Sequence, residues 1–365
     1  WQRSMKQESR DFSRGRFKTR LQLAADRELV EDRAFGALIG LAMGDSLGDA
    51  ARTAENHQRY GVTTDFGSGA SWSTDDTEFA LLTAEILIKS GGNPTIDDVV
   101  RSWREHVLIE DELNRGGASE IEAAHNIRRG LLPPLSGEYN SHCVSDGAAM
   151  RAAPIGIIAA GDGIMAASLA AVDACISHAR DGVWGAQAVA VGVSQAMVGA
   201  AVPDVVSAAR AAIPEQSWFS YTFDKAIEIV ENASCPEEVW APLHDELWTT
   251  YKAAVPEAIS QAFAIYLLTR GDFKRGVLYA ANFGRDADTI GAVVGALCGA
   301  ACGASAIPDR WIEKVRYPSG TCLGFTKGVD IKTVAHTLAE LVVQQGSDNP
   351  GWTSSQPGQP GRPSP

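Results

Sequence analysis

Apolar residues recur at three- and four-residue intervals almost without interruption between residues 29 and 345. That spacing lines one face of an α-helix. It predicts helices over 32–47, 77–89, 96–108, 119–129, 150–160, 163–178, 183–202, 203–212, 223–232, 236–248, 256–269, 273–282, 289–304 and 331–344. Pro94, Pro203, Pro236 and Pro256 stand at or near predicted starts, where a missing N–H costs least. No run alternates Val, Ile or Thr with polar residues as a half-buried strand would. The expected fold class is all-α: a single compact multi-helix domain over 29–345. A charged leader over 1–28 and a Gly-, Pro- and Ser-rich tail over 346–365 flank it, and neither has the apolar content to order itself.

Two predicted helices carry glycine at every fourth position: Gly36, Gly40, Gly44 and Gly48 in one, Gly291, Gly295, Gly299 and Gly303 in the other. Each helical glycine costs about 1 kcal/mol relative to alanine. Close approach of another helix is the return that would offset this. Both helices are therefore expected at the centre of the bundle, with or without touching each other.

Composition narrows the function. With 365 residues and 45% hydrophobic content, the chain can bury a large core. Its net charge of −13 repels phosphate backbones, which argues against a nucleic-acid partner. A phosphorylated substrate would need a bound cation or placed arginines. The six cysteines form no CxxC pair, so neither a disulfide scaffold nor a zinc cage is expected. They read as the reduced thiols of a cytoplasmic protein. Residues 1–20 lack the apolar run of a secretory signal. The uncharged stretch 289–308 is dominated by Gly and Ala and reads as a core helix, not a membrane span.

The chemistry concentrates at two helix starts. Ser73-Thr74-Asp75-Asp76-Thr77-Glu78 precedes one apolar helix, and Gly284-Arg285-Asp286-Ala287-Asp288-Thr289 precedes the second glycine-rich one. Such residues are ordinary N-caps, and Asp75 with Glu78 resembles a capping box. Yet one cap needs one acceptor, and each motif supplies more. Brought together, four carboxylates and several hydroxyls would suit two hard divalent cations, Mg²⁺ or Mn²⁺.

The stretches GALIGLAMGDSLGDA (36–50), STDDTEFA (73–80), SDGAAMRAAPIGI (145–157), ISHARDG (176–182) and GRDADTIGAVVGALCGA (284–300), in this order, resemble the ADP-ribosylglycohydrolase family. That is the family of dinitrogenase-reductase-activating glycohydrolase and ADP-ribosylarginine hydrolase. The resemblance implies an all-helical fold with a central dinuclear metal site. It implies Thr74, Asp75, Asp76, Asp286, Asp288 and Thr289 as ligands of two Mg²⁺ or Mn²⁺ ions. It further implies hydrolysis of the anomeric ribosyl bond of an ADP-ribosyl conjugate, with Asp76 and Asp286 as the carboxylates that assist proton transfer. Ser145, Asp146 and Gly147 would line the ribose or phosphate pocket.

The sequence departs from the family pattern at three places. Arg52 stands where many members carry a glutamate. Ser145-Asp146-Gly147 replaces the usual Asn-Gly, and Arg285 replaces a common glycine. The acceptor side of the pocket therefore differs from the family pattern. Trp72 is a candidate for base stacking, and His178 and Arg285 are candidates for substrate contact. Three alternatives stay open: an N-glycosidase acting on a free nucleoside or small ribosyl conjugate, a non-catalytic ADP-ribose-binding or structural member, and an all-α prenyl-diphosphate enzyme whose aspartate-rich motif Asp75-Asp76-Thr77-Glu78 loosely mimics.

Overall fold

The computed structural model of the chain describes residues 18–348, apart from 52–54, 56, 57, 59, 60, 68–70, 111 and 234. Helix follows helix. The first half runs α1 (Arg20–Ala24), α2 (Arg27–Ala51), α3 (Asp75–Lys89), α4 (Ile96–His106), α5 (Ala118–Arg128), α6 (Leu135–Glu138), α7 (Gly147–Met150), α8 (Ala153–Ile158) and α9 (Gly163–Ala174). The second runs α10 (Asp181–Met197), α11 (Val202–Ala211), α12 (Trp218–Asn232), α13 (Trp240–Asp245), α14 (Val255–Leu268), α15 (Phe273–Phe283), α16 (Ala287–Cys302), α17 (Asp309–Val315) and α18 (Ile331–Asp348). Among the described residues there is no strand. One isolated bridge pairs Ser145 with Ala254. The all-α expectation holds.

Local chemistry explains most boundaries. Thr95 with Asp98 and Ser217 with Ser220 form capping boxes at α4 and α12. Pro154, Pro203 and Pro256 sit in the first turns of α8, α11 and α14. The structure breaks helices where periodicity alone ran on. The span 236–248 divides into a 3-10 turn, Pro236–Glu238, and the short α13. An unbroken helix would put Pro242 in its interior, where it has no N–H to donate. The span 150–160 divides likewise ahead of Pro154. The span 163–178 stops at Ala174, and a turn carries Ile176, Ser177 and His178 into the interior. α1 and the start of α2 fall within the 1–28 stretch, where Leu23 and Ala24 are buried.

The two glycine-rich helices lie at the centre, and they touch. α2 and α16 run antiparallel, with Gly36 against Gly299, Gly40 against Gly295, Gly44 against Gly291 and Gly48 against Ala287. A Cβ at any of these glycines would overlap the backbone carbonyl opposite. α14, α15 and α10 pack around α16, and α18 covers α2. Among the described residues, no helix is long and apolar enough to cross a membrane. The described cysteines are all free.

Candidate active site

The antiparallel pairing decides where the acidic motifs meet. It sets the C-terminal end of α2, carrying Asp45 and Asp49, beside the start of α16, carrying Asp286 and Asp288. Asp45 then draws in the first motif. Its carboxylate accepts from the Thr74 backbone N–H (2.9 Å) and hydroxyl (2.6 Å), and from the N–H (3.3 Å) and hydroxyl of Thr77. The start of α3 is thereby fixed against the start of α16.

Neither motif spends its carboxylates on capping. Thr74 and Asp286 occupy the cap positions of α3 and α16, and neither makes a side-chain cap bond. The capping box suggested by Asp75 and Glu78 does not form. Glu78 turns away to accept from the Ser73 hydroxyl (2.6 Å) and from the backbone N–H groups of Thr321 (2.8 Å), Cys322 (2.8 Å) and Leu323 (2.7 Å). Asp75, Asp76, Asp286, Asp288 and Thr289 are all buried. Asp146 joins them and shares a hydrogen bond with Asp286. Oδ1 of Asp76 and Oδ2 of Asp146 are enclosed without a hydrogen-bond partner among the described residues, a state in which proteins rarely leave buried acceptors.

The electrostatics follow from this crowding. Asp75, Asp76 and Asp146 are held well above the ordinary carboxylate range, burial being the main cause for each. Neighbouring charges add to it: Glu120, Asp288, Asp45 and Asp286 at Asp75, then Asp45, Asp288, Asp75 and Asp286 at Asp76, then Asp286, Asp76 and Asp288 at Asp146. Each carboxylate thus feels members of the other motif, as groups sharing one low-dielectric space must. Burial pushes Asp45 up to about 6, although its bonds from Thr74 and Thr77 pull the other way. Behind Asp75, the fully buried Glu120 accepts from the Ser119 hydroxyl (2.7 Å) and from Arg151 (3.0 Å). Arg151 is itself buried, bonds Asp173 (2.8 Å), and lies over the rings of Phe79 and Trp103.

Comparison with known proteins decides the family. The chain matches the family model described as ADP-ribosylglycohydrolase over residues 26–348. The chain belongs to the ADP-ribosylglycohydrolase family. It is 31% identical over 293 residues to Uncharacterized protein YegU of Escherichia coli K12, covering 72% of this chain and 85% of that protein. It is 25% identical over 303 residues to ADP-ribosylarginine hydrolase Tri1 of Pseudomonas putida, covering 80% of this chain and 76% of Tri1. An uncharacterized protein of Archaeoglobus fulgidus is 26% identical over 300 residues, covering 79% of this chain and 92% of its own. A solved structure, an ADP-ribosylglycohydrolase-related protein complex, matches with TM-score 0.59 and 26% identity, covering 86% of this chain and 99% of that one. The resemblance carried by the motif stretches is borne out, and the family takes the place of the prenyl-diphosphate alternative.

On this ADP-ribosylglycohydrolase scaffold the remaining candidate residues occupy distinct places. Trp72 is 39% exposed and donates its Nε1–H to Asp49 at 2.5 Å. It borders a cavity of about 480 Å³ lined by the end of α2 and residues 61–67. Ser145 and Gly147 flank Asp146, and a Cβ at Gly147 would overlap the Glu120 carboxylate. His178, only 1% exposed, lies behind Ser145 and not on the open cavity. Its Nε2 is 2.9 Å from the Ser145 hydroxyl and its Nδ1 is 2.7 Å from that of Ser177. Burial and the Arg151 charge hold it well below its usual value, which favours the neutral ring. Arg285 spends its guanidinium outside the two acidic motifs. Its guanidinium bonds both oxygens of the buried Glu257 (2.5 and 2.9 Å) and the Thr249 carbonyl (2.6 Å), and lies over Trp248. Arg52 lies outside the described residues.

Glu120, Tyr251 and Lys252 also border the acidic centre, and no sequence motif marks them. Tyr251 stands beside Asp146 and bonds Ser145, and burial pushes its phenol up. Lys252 donates to Asp286 at 2.5 Å. A different trio, Glu31, His336 and Glu340, gathers at the far end of α2, where Arg27 pairs with both glutamates.

Proposed function

We propose that the chain is a divalent-metal-dependent hydrolase that cleaves the anomeric ribosyl bond of an ADP-ribosyl conjugate. One observation carries the reading. Two acidic motifs far apart in sequence converge with Asp146 in a buried space, where no carboxylate caps α3 or α16 and Oδ1 of Asp76 and Oδ2 of Asp146 have no donor among the described residues.

The donor set fits hard cations: every candidate ligand offers oxygen. Thr74, Asp75, Asp76, Asp286, Asp288 and Thr289 would hold two ions, Mg²⁺ or Mn²⁺. Bound there, they would supply Lewis acidity and a water of lowered pKa. The chain's own groups do the rest. Asp76 and Asp286 exchange the protons of water and leaving group. The ring of carboxylates favours the positive charge that develops on the ribose as the bond breaks. Ser145, Asp146 and Gly147 close the ribose side, and His178 positions Ser145 from behind. Trp72 offers a face for the base at the rim of the cavity. Glu257 holds Arg285, so that Arg285 shapes the wall without touching the reacting atoms. Arginine is the first acceptor to test, because a cationic leaving group suits an acidic site and Tri1 is described as an ADP-ribosylarginine hydrolase.

The test incubates ADP-ribosylarginine, ADP-ribosylserine and free nucleosides with the protein in Mg²⁺, Mn²⁺ or excess chelator, and quantifies released ADP-ribose or ribose by chromatography. Turnover should require the metal and should fall at least about a hundredfold in Asp76→Ala and Asp288→Ala, with helicity by circular dichroism retained. Full turnover in chelator, or in either variant, would overturn the reading.

A further inference from the structure

Lys252 stands against the acidic centre, yet the proposed reaction makes no use of it. Its Nζ is 2.5 Å from Oδ1 of Asp286 and 3.4 Å from the Arg285 carbonyl. The backbone is pinned on both sides of it. Upstream, Thr249 gives its N–H (2.7 Å) and hydroxyl (2.8 Å) to Glu257, while its carbonyl accepts from Arg285. Downstream, the Ala253 carbonyl accepts from the Asp146 N–H (2.8 Å), and the Val255 N–H donates to the Val144 carbonyl (3.0 Å). The fold therefore delivers an ammonium to Asp286 from a fixed base. The side chain is 42% exposed, so it has room to swing out.

An ammonium and a divalent cation cannot both sit on one carboxylate oxygen without strong mutual repulsion at such range. We propose that Lys252 is a built-in counter-ion of Asp286 that a divalent cation has to displace, so that this one side chain sets the metal concentration at which the centre loads. This rests on the reading of Asp286 as a metal ligand. Without metal, Lys252 relieves the repulsion between Asp286 and its acidic neighbours. With metal, the ion takes that role and the lysine turns to solvent. Lysine suits such an exchange because its charge rides on a flexible stem.

The experiment strips the full chain with chelator, removes the chelator, and titrates Mn²⁺ while electron paramagnetic resonance counts the free ion. Wild type is compared with Lys252→Met, Lys252→Arg and Asp286→Asn. Lys252→Met should bind Mn²⁺ roughly fivefold tighter or more, and Lys252→Arg should stay near wild type. In chelator Lys252→Met should melt below wild type, and saturating Mn²⁺ should close that gap. Unchanged Mn²⁺ affinity in Lys252→Met, with affinity lost in Asp286→Asn, would overturn the role of Lys252 and leave the metal reading standing. Wild-type affinity in Asp286→Asn would overturn both.

Discussion

Asp146 and Asp76 each carry a buried oxygen that no donor among the described residues satisfies, and burial and acidic neighbours hold their carboxyl groups well above the usual range. A carboxylate whose folded pKa is raised keeps its proton in the native state after the unfolded chain has released it. Its contribution to stability is therefore full below the unfolded value of about 4 and is lost as pH rises toward the folded one. The metal-free protein should accordingly gain from neutral isosteres at alkaline pH. In chelator at pH 8, Asp146→Asn is expected to raise stability by about 1 kcal/mol or more, an advantage that fades toward pH 4, while turnover with metal falls. Thermal melts of both proteins across that range check it, and a lower melting temperature for Asp146→Asn at pH 8 would contradict it. His178 works in the opposite sense, its contribution being lost as pH falls below its ordinary value. It is common to both proteins and cancels in the comparison. Asp75, Asp76, Asp286 and Asp288 were legible in the sequence as candidates because each motif holds more oxygen than a cap needs. Glu120 and Lys252 were not. A glutamate in the first turn of α5 looks like any helix start, and a lysine in a loop follows no pattern until Asp286 is folded against it.

The glycine ridges show what the element scale adds. The four-residue spacing told that something would approach α2 and α16 closely. It could not tell that each was the other's partner or that they run antiparallel, because those facts belong to the tertiary fold. The pairing is nonetheless what carries the end of α2 to the start of α16. Glycine substitutions should therefore differ with position. Gly36 faces Gly299 at the end remote from the acidic centre, whereas Gly48 faces Ala287, between Asp286 and Asp288. Gly36→Ala and Gly48→Ala should each cost about 1–3 kcal/mol or more, since the obstacle is backbone and cannot rotate away. Only Gly48→Ala should also depress kcat per folded molecule, by displacing the first turn of α16. Denaturant melts paired with activity normalised to folded protein would check this. Equal loss of kcat in both variants would mean that the ridge holds the bundle together without setting the register of the site. The helices that periodicity overran, 236–248 and 150–160, broke where Pro242 and Pro154 withhold an N–H, a signal that was present in the sequence and outweighed by the apolar spacing.

At the scale of the whole molecule, charge becomes the governing quantity. A net charge of −13 attracts divalent cations from solution and repels a diphosphate. The described arginines bordering the site do little to reverse this, since Arg115 is paired with Asp49 and Arg285 with Glu257. An ADP-ribosyl substrate should therefore approach against the field of the protein, whereas a neutral nucleoside should not feel it. Added salt shortens the reach of that field, to about 10 Å at 0.1 M. At saturating Mn²⁺, the KM for an ADP-ribosyl conjugate is expected to fall as sodium chloride rises from low to physiological strength, with kcat nearly constant. The KM for a nucleoside should stay level under the same change. Steady-state kinetics on the two substrate classes across a salt series measures the difference. A KM for the conjugate that climbs with salt would reveal a positive local field stronger than the net charge, which the pairing of Arg115 and Arg285 with carboxylates argues against.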